Sequence, residues 1–294
     1  MSGLSDYSAK NVMAYLTGQA GMPSLPSIWL ALFTTAPTAD AGSGGTEVSG
    51  GSYARVQVAG ALIAGASFTT SSTSLTLASS APSWLVAGMN VYDATNSQQI
   101  GTILTVSGTS VTLTAAASHG SSGSSDSLVF SAFAPPSASS GSEPATTPAS
   151  IVNTNATITF AQATANWGTV TSWGLYDASS SGDLLWWDYL GNYKWLPFTC
   201  TSASPGVLTT DSTADAPANS SSIVVTSKYG GTLPTTGGSW AGVLTTANLS
   251  GATFTAGVNT TSIGGGMFRQ VTQQSIPTNV TAGFASGSFT LTLA

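Results

Sequence analysis

Side chains able to run acid–base or nucleophilic chemistry are few in this chain and poorly arranged for it. Asp177, Asp183 and Asp188 are the only carboxylates that cluster. A glycosidase needs two carboxyl groups facing a sugar at a set separation. The first two instead bracket the turn Ala178–Gly182, where aspartate is favoured for its local hydrogen bonds. The single histidine, His119, lies in His-Gly-Ser-Ser-Gly-Ser-Ser, a loop by composition, whereas a catalytic base needs a fixed place and an orienting partner. No Gly-x-Ser-x-Gly elbow occurs. The lone cysteine, Cys200, reads as a small buried hydrophobe and rules out an intrachain disulfide. Histidine, cysteine and carboxylate are too thinly spread to hold a metal. The expectation is a protein that is not an enzyme, with no catalytic, metal-ligating or cofactor-binding residues and no cofactor.

The richest local feature is aromatic: Trp186, Trp187, Tyr189, Tyr193 and Trp195 within ten residues. In a strand, Trp187 and Tyr189 share one face while Trp186 and Asp188 share the other, so one core cannot hide them all. One face must meet an inserted module, a partner subunit or a ligand. Internal packing comes first among these readings, a subunit contact second and a carbohydrate platform third.

The elements that would position these residues are mostly strands. Charged residues make up only 5% of the chain, against about 25% in ordinary soluble domains. The apolar fraction is nevertheless 41%, with 8 Trp, 8 Tyr and 10 Phe, which argues against disorder. Ser, Thr and Gly take the place of the charges, as suits pleated surface and turns. A net charge of −6, with Lys10, Arg55, Lys194, Lys228 and Arg269 scattered, leaves no basic run for nucleic acid. No stretch approaches the roughly 20 apolar residues of a membrane span. Nor does the N-terminus carry a basic segment followed by an apolar run, so no export signal is expected.

Residues 4–17 are predicted as a helix, with Ser5 as N-cap and Gly18 as stop. Its narrow apolar stripe, Val12, Met13 and Leu16, is a candidate docking element. Beyond it the sequence reads as short strands between turns, among them 27–34, 53–58, 74–77, 90–93, 100–106, 110–114, 128–132, 156–160, 170–177, 184–189, 223–226 and 288–293. Gly108-Thr109 joins two of them as a tight hairpin. Glu47 and Arg55 flank a returning strand at a spacing that lets them pair. The fold class is mainly β: an antiparallel β sandwich or barrel with one short N-terminal helix and inserted small β modules. The core is expected from 1–67, 151–194 and 266–294. One inserted β module with a Ser/Pro-rich linker covers 68–150, the low-complexity run His119–Ser127 being read as loop. A second Ser/Thr/Gly-rich module covers 195–265. Its opening Phe198-Thr199-Cys200-Thr201-Ser202 echoes Phe68-Thr69-Thr70-Ser71-Ser72, as two copies of one module would.

Two blocks carry a family resemblance. One runs Leu30-Ala31-Leu32-Phe33-Thr34-Thr35-Ala36-Pro37-Thr38, then Gly44-Gly45-Thr46-Glu47-Val48-Ser49-Gly50-Gly51-Ser52-Tyr53-Ala54-Arg55. The other runs Ala161-Gln162-Ala163-Thr164-Ala165-Asn166-Trp167-Gly168-Thr169-Val170-Thr171, then Trp173-Gly174-Leu175-Tyr176-Asp177-Ala178. With the closing Phe284–Leu293 they resemble a family of tailed-bacteriophage virion proteins, often labelled tail fibre or minor structural protein. The compact form of that family lacks the two inserted regions. The resemblance implies a structural role on the virion, head or tail, after synthesis in the host cytoplasm. Expected partners are further copies of the chain (a trimer is favoured), other virion proteins, and a host surface glycan or receptor. The alternatives are a receptor-binding or carbohydrate-degrading tailspike and, more remotely, a cellular surface-layer protein or adhesin.

Overall fold

A computed structural model describes residues 3–19, 27–37, 45–117, 123–135, 149–191, 195–203, 206–227, 240, 243–256 and 264–293. First come β1 (Gly3–Leu4) and the helix α1 (Asp6–Leu16). The Ser5 hydroxyl accepts from the Ser8 amide at 3.1 Å and donates to the Leu184 carbonyl, so one side chain starts the helix and ties it to the sheet. Thr17 closes it, its hydroxyl donating to the Met13 carbonyl at 2.7 Å. No residue of α1 is buried, and Met13 and Leu16 are 60% and 70% exposed. An isolated helix of 11 residues is marginal, so α1 depends on its contacts with β1 and with the strand Leu184–Tyr189.

The strands follow in three groups. The first holds β2 (Ile28–Thr35), β3 (Thr46–Glu47), β4 (Val56–Phe68), β5 (Ser74–Thr76) and β6 (Asn90–Asp93). It continues with β7 (Gln98–Ser107), β8 (Ser110–Leu113) and β9 (Gly123–Ser131). Next are β10 (Ala149–Val152), β11 (Ile158–Gln162), β12 (Gly168–Val170), β13 (Ser172–Tyr176) and β14 (Leu184–Tyr189). The last group opens with β15 (Leu196–Ala203), β16 (Gly206–Thr210), β17 (Ser222–Ser227), β18 (Leu244–Ser250), β19 (Thr253–Ala256) and β20 (Gly265–Val271). It closes with β21 (Gln274–Ile276), β22 (Thr281–Phe284) and β23 (Thr290–Leu293).

An antiparallel sheet β1-β14-β13-β2-β4 forms the centre, with β3 added on β2. Leu30, Leu32, Trp173 and Leu175 face one side, where the pairs β10-β23, β11-β22 and β12-β21 contribute Ile158, Phe160, Ile276 and Leu291 to the same core, joined by Phe289 just before β23. On the opposite side Ala31, Phe33, Tyr176, Leu184 and Trp187 make a smaller core. The fold is therefore mainly β and antiparallel, with one helix among the described residues, in line with the composition.

Two six-stranded rings extend from this centre. The first is β4-β5-β8-β7-β6-β9, closed by β9 returning to β4. The second is the closed barrel β15-β16-β19-β18-β17-β20. With each ring's strands lettered a to f in chain order, both read a-b-e-d-c-f. Their registers agree as well. Leu75 faces Val111 as Leu208 faces Phe254, Ile103 faces Leu113 as Thr246 faces Ala256, and Val91 faces Gly101 as Ile223 faces Leu244. Both d–e hairpins turn on a Ser-Gly step with left-handed glycine, Gly108 (φ 56°) and Gly251 (φ 61°). The first ring shares its interior with the central core, whereas the second has a core of its own around Phe198, Leu208, Ile223, Phe254 and Phe268.

Several expectations need correction. The helix begins at Asp6, because Ser5 serves as its cap. Strand β4 runs on to Phe68 through a Gly/Ala-rich stretch that carries no alternation. Gly123–Ser127, read as loop, opens β9, because Gly123 and Ser124 pair with Phe68 and Ser67. The supposed boundaries at 67/68, 150/151 and 265/266 fall inside β4, β10 and β20. The Phe68–Ser72 echo is two residues out of register. Phe68 faces Leu75 and Cys200 faces Leu208, so Cys200 occupies the place of Phe68, while Phe198 takes that of Ala66. His119, Tyr193 and the linker at 136–148 lie outside the described residues.

Candidate interaction surfaces

The aromatic strand β14 divides as its alternation requires. Trp187 is buried in the small core, edge-on to Tyr189 with ring centroids 5.4 Å apart, while Trp186 packs against the large core on the other face. Tyr189 and Trp195 flank the guanidinium of Arg269, which lies 5.4 Å and 5.5 Å from their ring centroids. Arg269 comes from β20 of the second barrel and is 1% exposed. It makes a 2.6 Å ion pair with Asp188 and donates to the Tyr189 carbonyl at 3.2 Å. A buried arginine needs this many partners, because stranding its charge away from water is costly. The aromatic run thus meets an insertion, the second barrel. Arg269 itself was not foreseen: one arginine in a weak strand carries no signal of burial.

The Asp177–Asp183 pair is a turn. The Asp183 amide donates to Asp177 Oδ1 at 2.7 Å and the Asp177 amide to the Asp183 carbonyl at 3.3 Å. Asp188 is committed to Arg269. Among the described residues, no group of three or more His, Cys, Asp or Glu side chains is placed to hold a metal. Cys200 is buried in the wall of the second barrel.

Glu47 and Arg55 pair as their spacing suggested. Arg55 Nε and Nη2 reach the two carboxylate oxygens at 2.9 Å and 2.7 Å, a fork-on-fork geometry. Its Nη1 donates to the Ala178 and Ser181 carbonyls, and its guanidinium stacks 3.5 Å from the Tyr176 ring centroid. Burial alone would lower the Arg55 pKa, but the Glu47 hydrogen bonds and charge carry it above its ordinary value. Burial pushes the Tyr53, Tyr176 and Tyr189 hydroxyls up. The Trp167 indole donates to the Gly51 carbonyl at 2.9 Å. A β-carbon at Gly51 would sit 3.0 Å from that nitrogen, so the close approach depends on Gly51 rather than on Gly168 beside the indole.

The first barrel meets the core along a groove of about 850 Å³. Val56 and Val58 of β4, the loop residues Trp84, Val86 and Met89, Leu104 of β7, and Asn155 with Thr157 to Thr159 line it. Trp84 is half-buried, and Val86 and Leu104 are 39% and 52% exposed. Trp84 sits in a Ser/Pro/Ala loop whose composition gave no hint of it. The other exposed apolar cluster is at α1, where Leu4, Tyr7 and Tyr15 join Met13 and Leu16, and Val12 is half-buried. No helix is long and apolar enough to cross a membrane.

No curated protein and no solved structure matches the chain. A family model described as podophage GP4 fiber I protein gp80 matches residues 3–132 and 105–197, which is more than half of the 294-residue chain. The chain belongs to this phage fibre family, whose members are structural and virion-associated.

Proposed function

We propose that the protein is a non-enzymatic fibre or appendage component exposed on the particle, working by self-assembly and by attachment to a surface. The fibre-family match, which ends where the second barrel begins, carries this reading. In it, α1 is the docking element toward other virion proteins: Val12, Met13 and Leu16 lie on a helix with no buried residue. Tyr189 and Trp195 hold the second barrel in place through Arg269, while Trp186 and Trp187 pack inward on the two faces of β14. The chain assembles as a homo-oligomer, a trimer in the simplest form, and its hydroxyl-rich barrels face outward. A capsid decoration role and a receptor-binding or carbohydrate-degrading tailspike are the competing readings. Gold-labelled antibody on intact particles, viewed by electron microscopy, tests the placement. Label on tail fibres or appendages is expected; label spread over the head makes the protein a decoration component, and no label at all overturns an exposed position. Sedimentation of the purified chain reads its copy number.

A further inference from the structure

The likeness of the two rings extends to single hydrogen bonds, so each barrel serves as a control for the other. In the first, Gly88 N donates to Ile103 O at 2.8 Å and Ile103 N to Met89 O at 2.8 Å. In the second, Ser220 N donates to Thr246 O at 2.8 Å and Thr246 N to Ser221 O at 2.9 Å. The turn before each strand c closes alike, Met89 N to Val86 O and Ser221 N to Ala218 O at 3.4 Å and 3.3 Å. Gly88 and Ser220 both take left-handed backbone, at φ 87° and 63°. The equivalence therefore sets Val86–Met89 against Ala218–Ser221 and Ile103 against Thr246, and counting back two residues sets Trp84 against Ala216.

That equivalence isolates two side chains. Where the first barrel has Trp84 and Val86, the second has Ala216 and Ala218. The module folds with alanine at both places, so its own packing does not call for an indole and a branched side chain there. Val86 and Leu104 also stay well exposed against the core. An apolar surface kept in water that the fold does not need marks a binding surface. Trp84, Val86 and Leu104 line the groove between the first barrel and the core.

The remaining lining decides the class of ligand. Gln57, Thr102, Thr114, Asn155, Thr157 and Thr159 supply amides and hydroxyls, and no charged residue is among the described residues that line the groove. Gln57, which lines the groove from β4, is 7% exposed. An indole offers a flat apolar face with a polar edge, and neutral donors and acceptors around it match the hydroxyls of an uncharged sugar. The volume lies in the about 300–1,000 Å³ range of small-ligand sites. From these observations we infer that the groove is a binding site for a neutral oligosaccharide, stacked on Trp84 and held at its polar groups by the amides and threonines. A site of this kind rests on the surface-attachment part of the proposed function and gives it a location.

The test uses the full chain on a printed array of neutral and anionic bacterial glycans, with each glycan retained then titrated by calorimetry. Retention of a neutral glycan is expected, weakened about tenfold or more in Trp84→Ala. Thr157→Arg, which places bulk and charge at an exposed position of the groove, should weaken it comparably. Leu249→Ala, on the second barrel, should leave it unchanged. Circular dichroism checks that each variant is folded, and Thr157→Arg decides if Trp84→Ala is not. Failure to retain any neutral glycan overturns the assignment, as does binding that survives both groove variants. So does a shift of either folded variant to a smaller assembly in sedimentation, which gives the groove to a contact between copies. Particle labelling is independent of all these outcomes, so a failed groove and a failed fibre assignment are told apart.

Discussion

At the scale of single residues, the strongest constraint is the Arg269–Asp188 pair, where a cation 1% exposed depends on a carboxylate from another element. Removing the acid leaves the cation short of its main partner, so Asp188→Ala should destabilise the chain by about 3 kcal/mol in chemical denaturation followed by tryptophan fluorescence. Arg269→Met removes the charge but keeps most of the volume, and should cost clearly less. The buried tyrosines set a second residue-scale expectation. Tyr53, Tyr176 and Tyr189 have folded-state pKa values raised by burial above their unfolded value of about 10. Their contribution is fully present below that value. It is lost as pH rises from there toward the folded-state values, because the unfolded chain releases these protons first. Unfolding midpoints measured across alkaline pH should be flat up to about 10 and then fall, and Tyr53→Phe should flatten part of the decline.

At the scale of elements, the turn before each strand c separates what the module needs from what its surroundings need. Gly88 and Ser220 have the same handedness, but a β-carbon at Gly88 would meet the Asn155 carbonyl at 2.2 Å. Gly88→Ala should therefore cost more than about 2 kcal/mol, combining left-handed strain with a backbone clash. Ser220→Gly should change stability by no more than about 1 kcal/mol, because the backbone there already suits glycine. Thermal unfolding of the two variants side by side reads the difference. Equal effects would mean that docking against the core contributes nothing at Gly88. The helix α1 is a surface element: its cap is bonded into the sheet, yet among the described residues nothing buries its apolar side chains.

At the scale of the whole molecule, the two barrels are attached in different ways. The first cannot be cut out, because β4 pairs with β2 through Val56, Gln57 and Ala59 and then continues as the barrel's first strand. The second enters and leaves at one point, where the Thr272 amide donates to the Leu190 carbonyl at 2.7 Å. Its interior is also separate. A chain with residues 192–271 replaced by a short glycine linker should keep its β-sheet circular dichroism and a cooperative unfolding transition. Loss of both would mean that the Arg269 seam is needed for the core to fold, not only to fix the second barrel. One barrel is thus continuous with the central sheet, and the other is joined to it at its two ends and along the Arg269 seam.

The sequence alone was enough for the β class, for the helix with its Ser5 cap, and for the Glu47–Arg55 pair. It also gave the turn role of Asp177 and Asp183 and the division of Trp186 from Trp187. Each of these follows from short-range rules: periodicity, capping, turn chemistry and charges a few residues apart. Tertiary structure decided the rest. Strand β4 reads poorly beyond Val58 because Gly and Ala fit a crowded barrel wall without leaving any alternation, and β9 begins in a serine run that pairing, not propensity, makes into a strand. The two modules differ in most side chains and match in register and hydrogen bonding. Their likeness is therefore legible only once partner strands are known, and the one visible echo, Phe68 with Phe198, is two residues off. Arg269 and Trp84 acquire their roles from groups about 80 and 70 residues away, a separation across which composition and spacing carry no information.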